Sequence, residues 1–155
     1  MSRDPSLLTP GCYIRWQKWE TRMVAAGIPH ILTCTARWLE EQMALYTMGR
    51  LPLATVNRFR TAAGLTLVAD GENKPITWTL SSNHVIKPGQ GITHARAFDF
   101  AIIKNGVATW DIKVSVNQND IPDYKEAGQI GKDCGLVWGG DWSSPDYPHL
   151  EYTGG

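Results

Sequence analysis

The chain has 155 residues, enough for one domain whose core needs no disulfide staples. Its 15 basic and 15 acidic residues cancel, which removes the electrostatic case for nucleic acid or an anionic membrane surface as partner. No apolar run is long enough to cross a bilayer, and Met1-Ser2-Arg3-Asp4-Pro5 opens no signal-peptide core, so synthesis in the cytoplasm without stable membrane insertion is expected. The three cysteines, Cys12, Cys34 and Cys134, are widely spaced and form no Cys-x-x-Cys pair, and are expected as buried free thiols. Seven tryptophans suit either a packed core or a cleft that contacts sugar or peptide.

In chain order, the spacing of Trp16, Trp19, Met23 and Ala26 predicts a helix over 14–26, with Gly27 as its C-terminal cap. Residues 28–34 read as a short buried strand. A second helix is predicted over 38–48, with Leu39, Met43 and Tyr46 on one face, Glu40 and Glu41 in the first turn, and Gly49 at the end. A third spans 55–63 and stops at Gly64. Residues 75–80 read as a strand, and residues 85–93, with Pro88, Gly89 and Gly91, as a loop. Strands over 97–103 and 107–116 flank Lys104-Asn105-Gly106, a strong hairpin signal. In the first of these, Phe98, Phe100 and Ile102 share one face, and Asp99 points to the other between Ala97 and Ala101. A last helix is predicted from Pro122 to Gly135, and a closing strand at 150–152. The fold class is α+β: one domain, residues 1–155, of helices packed on a small antiparallel sheet.

Chemistry concentrates in two places. One holds Ser82-Asn83-His84 and Ala97-Phe98-Asp99-Phe100; the other is Trp138-Gly139-Gly140-Asp141-Trp142 followed by Asp146-Tyr147-Pro148-His149. Two imidazoles, one carboxylate ligand and one spare carboxylate make the inventory of a catalytic zinc site with an open position. Pro148 fixes the backbone between Asp146 and His149, giving a rigid extended turn. Asp146 is then either a proton acceptor beside the open position or a turn cap in the Ser-Ser-Pro-Asp loop.

Three blocks in order carry a resemblance. Thr33-Cys34-Thr35-Ala36-Arg37, with Glu40-Glu41-Gln42, Leu45-Tyr46 and Gly49-Arg50, is the first. Thr77-Trp78-Thr79, Ser82-Asn83-His84 and Ala97-Phe98-Asp99 form the second, and the Trp-Gly-Gly-Asp-Trp segment with Asp146 to Glu151 the third. Together they resemble the zinc D-alanyl-D-alanine carboxypeptidases and the related phage endolysins, the L-alanyl-D-glutamate peptidases, whose fold is shared with the Hedgehog signalling domain. The resemblance implies Zn2+ held by His84, Asp99 and His149, Asp146 as general base where many relatives have Glu, and Arg37 steadying the substrate carbonyl or the developing oxyanion. It implies a peptidoglycan stem peptide as substrate, cut at the L-alanyl-D-glutamate bond, and a monomer made in a host cytoplasm that reaches the wall through a membrane pore. A D-alanyl-D-alanine carboxypeptidase and a catalytically silent zinc or peptidoglycan-binding module are the alternatives.

This chain departs from the family pattern in one respect. His84 and Asp99 stand fifteen residues apart, farther than in relatives. An insertion in a Gly/Pro loop costs little, so His84 can still reach. The insertion also brings His94, a rival for the ligand role. The Ser82-x-His84 pattern after Thr-Trp-Thr favours His84.

Overall fold

The computed structural model describes residues 1–154. Helix α1 spans Pro10–Ala25, four residues earlier than periodicity alone predicts, because Pro10 sits in its first turn where the missing N–H costs nothing. It ends at Gly27, whose φ of 69° is the left-handed conformation that glycine adopts without strain. Helices α2 (Leu39–Thr47), α3 (Leu53–Ala62) and α4 (Asp123–Asp133) fall where their patterns place them.

Strand β1 (His30–Cys34) pairs antiparallel with the long central strand, Ala97–Lys104. In chain order the strands before that one are β2 (Arg37–Trp38) and β3 (Val85–Ile86), a two-residue parallel ladder, so the central strand is β4. Asn105 and Gly106, at φ 52° and 78°, turn β4 into β5 (Val107–Thr109). The sheet is completed by β6 (Val137–Trp138) and β7 (His149–Glu151), in the order β1-β4-β7-β6 with β5 also on β4.

One face of β4 forms the core. Phe98, Phe100 and Ile102 are fully buried against Trp19 and Met23 of α1 and Tyr124 and Ala127 of α4. The Trp19 ring lies 5.3 Å from Phe98 and 5.0 Å from Phe100, and its Nε1–H donates to Ala127 O at 3.0 Å, so its one polar atom is satisfied inside the core. Helices α1 and α4 thus cover this face and leave the Asp99 face to a cleft.

Three sequence expectations are corrected. Residues 75–80 are not a strand: the carbonyls of Thr77 and Thr79 accept from Arg50 and from Gln42 rather than from a neighbouring strand, and Trp78 stands 72% exposed. The second hairpin strand ends at Thr109 instead of 116, because Val114 O accepts from Asp123 N at 2.7 Å and Asp123 Oδ2 accepts from Val116 N at 2.7 Å, which folds the segment over the start of α4. The loop at 85–93 contains strand β3, and its ladder fixes the position of His84.

Gly128 of α4 packs against the indole of Trp138, and a Cβ there would collide with that ring. Trp138 is 6% exposed and its Nε1–H donates to Tyr147 O, so the ring has no room to yield. Gly128→Ala is expected to destabilise by about 1–3 kcal/mol from overpacking, offset in part by the about 0.8–1.0 kcal/mol that alanine gains over glycine in a helix. A thermal melt should show a Tm a few degrees lower; a rise would mean that α4 is not seated on this ring.

Candidate metal centre and cleft

The β4–β7 register sets Asp99 directly opposite His149 on the face turned away from the core. His84 reaches the same point from the end of the β2–β3 ladder, where Arg37 N donates to His84 O at 2.9 Å. His84 Nε2 is 3.1 Å from Asp99 Oδ1 and 3.2 Å from His149 Nδ1, and that nitrogen is 3.1 Å from the same Asp99 oxygen. Three donor atoms therefore form a nearly equilateral triangle.

The outer nitrogens fix which tautomers face inward. His84 Nδ1 lies 3.0 Å from Thr35 O, and a carbonyl can only accept, so the proton sits on Nδ1. His149 Nε2–H donates to Glu151 Oε2 at 2.9 Å, and Asn83 Nδ2 donates to that oxygen at 3.0 Å. Both inner nitrogens then present lone pairs beside a carboxylate oxygen. Tetrahedral zinc with ligands at about 2.0–2.1 Å spaces them roughly 3.3 Å apart, so the triangle fits one face of such a site. Its chemistry is that of a borderline ion, two imidazoles and a carboxylate.

The electrostatics agree. Burial favours neutral His84, but the Asp99 carboxylate outweighs it and pushes His84 up to about 10. Burial pushes Asp99 up, yet the two histidines hold its carboxyl well below the usual carboxylate range. The point between them favours positive charge, a proton or a metal ion alike.

Arg37 lies beside this triangle. Its Nη2–H donates to Asp99 Oδ2 at 3.0 Å, leaving Oδ1 for the histidines, and its Nη1–H donates to Gln42 Oε1 at 3.2 Å. Its Nε is buried without a partner, an unspent donor in the wall of the cleft. Asp146 lines the same cleft. His149 N donates to Asp146 O at 3.2 Å, so the pair spans a closed, hydrogen-bonded turn rather than the extended one expected from Pro148. Among the described residues the Asp146 carboxylate accepts no hydrogen bond, which disfavours the turn-cap reading. Desolvation by the cleft walls and then the charge of Asp99 push its pKa up, against the pull of His149, His84 and Arg37.

His94 is elsewhere. It is exposed, with Nδ1 2.8 Å from Thr93 Oγ1, in a second pocket built by the inserted loop. Sequence reasoning missed three participants. Glu151 was legible as the i+2 neighbour of His149 on a strand, hence on the same face. Thr35 acts through its carbonyl, which no side-chain pattern reveals. The Cys34 thiol, His84 and Asp99 offer ligand atoms within 4.8 Å of one another, and that proximity follows from a β1–β4 register in which Thr33 is an extra, bulged residue.

The cleft encloses about 790 Å³, and Trp78, Trp110 and Trp142 stand along it at 72%, 58% and 39% exposure. Its rim at residues 77–79 is tied to α2: Gln42 Nε2 donates to Thr77 Oγ1 at 3.1 Å and to Thr79 O at 2.7 Å.

Comparison with known proteins gives three findings. Residues 77–152 match the D-alanyl-D-alanine carboxypeptidase family model. The chain is similar to the peptidoglycan L-alanyl-D-glutamate endopeptidase CwlK of Bacillus subtilis, 42% identical over 77 residues, covering 42% of this chain and 46% of that protein. The match thus spans less than half the length of that relative. The crystal structure of the L-Ala D-Glu endopeptidase ChiX of Serratia marcescens is similar in fold at a TM-score of 0.55 and 17% identity, covering 96% of this chain and 83% of that one.

Proposed function

We propose that this chain, whose residues 77–152 match the D-alanyl-D-alanine carboxypeptidase family model, is a zinc-dependent peptidase that cuts the L-alanyl-D-glutamate bond of peptidoglycan stem peptides. The observation that carries this reading is the triangle of His84, Asp99 and His149 with the Asp146 carboxylate, which accepts no hydrogen bond among the described residues, in the same cleft. Similarity to CwlK supports the choice of bond.

His84, Asp99 and His149 would hold the ion. Zinc in such a site supplies a Lewis acid that polarises a carbonyl and lowers the pKa of water to about 7. Asp146 takes the proton of the attacking water and returns it to the leaving amine, and its raised pKa brings it nearer the working range of a general base. Arg37 donates to the carbonyl oxygen as negative charge builds there, a task for a guanidinium that stays charged at every relevant pH. The exposed indoles of Trp78, Trp110 and Trp142 offer flat apolar surface to the peptide or its attached sugar.

Mass spectrometry of purified peptidoglycan after digestion tests the reading. Stem peptides beginning with D-glutamate are expected; free D-alanine as the only product would make the protein a carboxypeptidase, and an untouched wall would make it a silent binding module. A role in phage-type lysis rests on the resemblance to endolysins. It predicts a monomer in sedimentation and host lysis on co-expression with a membrane pore protein, and the absence of lysis would remove it.

Two variants probe the supporting residues. Glu151→Ala removes the acceptor that holds His149 Nε2–H and should weaken zinc binding about 10–100-fold, read by competition with a chelator. Unchanged affinity would show that the strand alone orients the ring. Arg37→Ala should lower turnover roughly 10²–10³-fold, the scale of one lost oxyanion donor. A loss of zinc alone, with normal turnover once zinc is saturating, would reduce Arg37 to a support for Asp99.

A further inference from the structure

The loop between His84 and Asp99 builds a second pocket of about 460 Å³. It shares Ser81, Ser82 and Asn83 with the main cleft, so the two are continuous along one wall. The loop is a built element. Lys87 and Ile92 exchange backbone hydrogen bonds at 2.7 and 3.2 Å, Gly91 closes the turn at φ 77°, and Ala95 N donates to Leu7 O at 2.7 Å.

The lining is one-sided in charge. Lys87, Arg96 and His94 face the pocket with hydroxyls from Thr9, Ser81 and Ser82, and among the described residues no carboxylate lines it or pairs with any of the three. A cleft wall lined by one sign of charge draws ligands of the opposite sign. The Thr9 hydroxyl is buried with no partner. Arg96 Nη2–H donates to Asn83 Oδ1 at 3.1 Å, and the amide of the same Asn83 reaches Glu151 and through it His149.

We propose that this loop-built pocket is a carboxylate-binding subsite that takes an acidic group of the stem peptide on one side of the scissile bond. The inference rests on the peptidase reading for the identity of its ligand. Lys87 and Arg96 supply charge, and the hydroxyls supply further donors for a planar oxyanion. An extended tripeptide spans about 10 Å, and Ser81, Ser82 and Asn83 line both pockets.

The test is calorimetric binding to zinc-loaded Asp146→Asn protein, which leaves the peptide uncut. The probes are L-alanyl-D-glutamyl-L-lysine and the same peptide with every carboxylate converted to amide. The acid is expected to bind roughly tenfold tighter or better, as charge-assisted hydrogen bonds imply. Lys87→Ala should bring that ratio close to one, and Lys87→Arg should restore it. Equal binding of acid and amide, no binding of either, or a ratio indifferent to Lys87 overturns the proposal. The peptidase reading fails separately, if the unmodified protein leaves wall peptides intact; the acid-to-amide ratio is read without hydrolysis.

Discussion

His84→Ala is expected to strip the protein of zinc and of hydrolysis together, while His94→Ala retains both. His84 is 1% exposed, and its Nε2 is within 3.2 Å of both other donors, so its loss opens one corner of the triangle. The loss in zinc affinity should exceed the about 10–100-fold that removing an orienting partner costs, because the proposed site loses a ligand itself. His94 meets Thr93 on the surface of the loop and touches none of the three donors. Metal analysis of both purified variants decides the matter, with circular dichroism to show that the fold survives. Zinc retained by His84→Ala and lost by His94→Ala would mean that the inserted loop swings inward to ligate.

The second large effect is at Asp146. Asp146→Asn keeps the size and shape of the side chain and removes its ability to take a proton. Turnover should fall by about 10²–10⁴ if Asp146 is the general base. Zinc content and melting temperature should stay near those of the parent, since among the described residues the carboxylate accepts no hydrogen bond and the turn is held by backbone atoms. The pH profile adds an independent reading: a general base at Asp146 gives the parent an acid limb that Asp146→Asn lacks. Turnover within a few-fold of the parent with zinc bound would exclude Asp146 from proton transfer.

The sequence carries a good deal of this. Alternation in β4 separates Phe98, Phe100 and Ile102 from Asp99, and the structure buries the first three while turning Asp99 to the cleft. Asn105-Gly106 makes the expected hairpin because its left-handed conformations are local. What was illegible depends on distant partners. The 75–80 segment has strand-like residues, but Arg50 and Gln42 take its carbonyls. β6 is two residues long, too short for any period to register. The cleft role of Trp78, Trp110 and Trp142, against the buried role of Trp19 and Trp138, follows from which backbone each indole hangs on, not from the residue type.

The contacts that hold the triangle in place span long stretches of chain. His84 meets Thr35 across 49 positions, Arg37 meets Asp99 across 62, and His84 meets His149 across 65. The segment that matches the family contains His84, Asp99, Asp146 and His149 but not Thr35, Arg37, Gln42 or strand β1. Contacts of such separation carry a larger loop-closure cost than local ones. A chain with its helices made but β1 undocked would therefore lack an oriented imidazole at His84 and would have only a loose set of donors to offer a cation. Tight metal capture becomes a property of fully folded molecules, and metal release and global unfolding should then occur as a single transition.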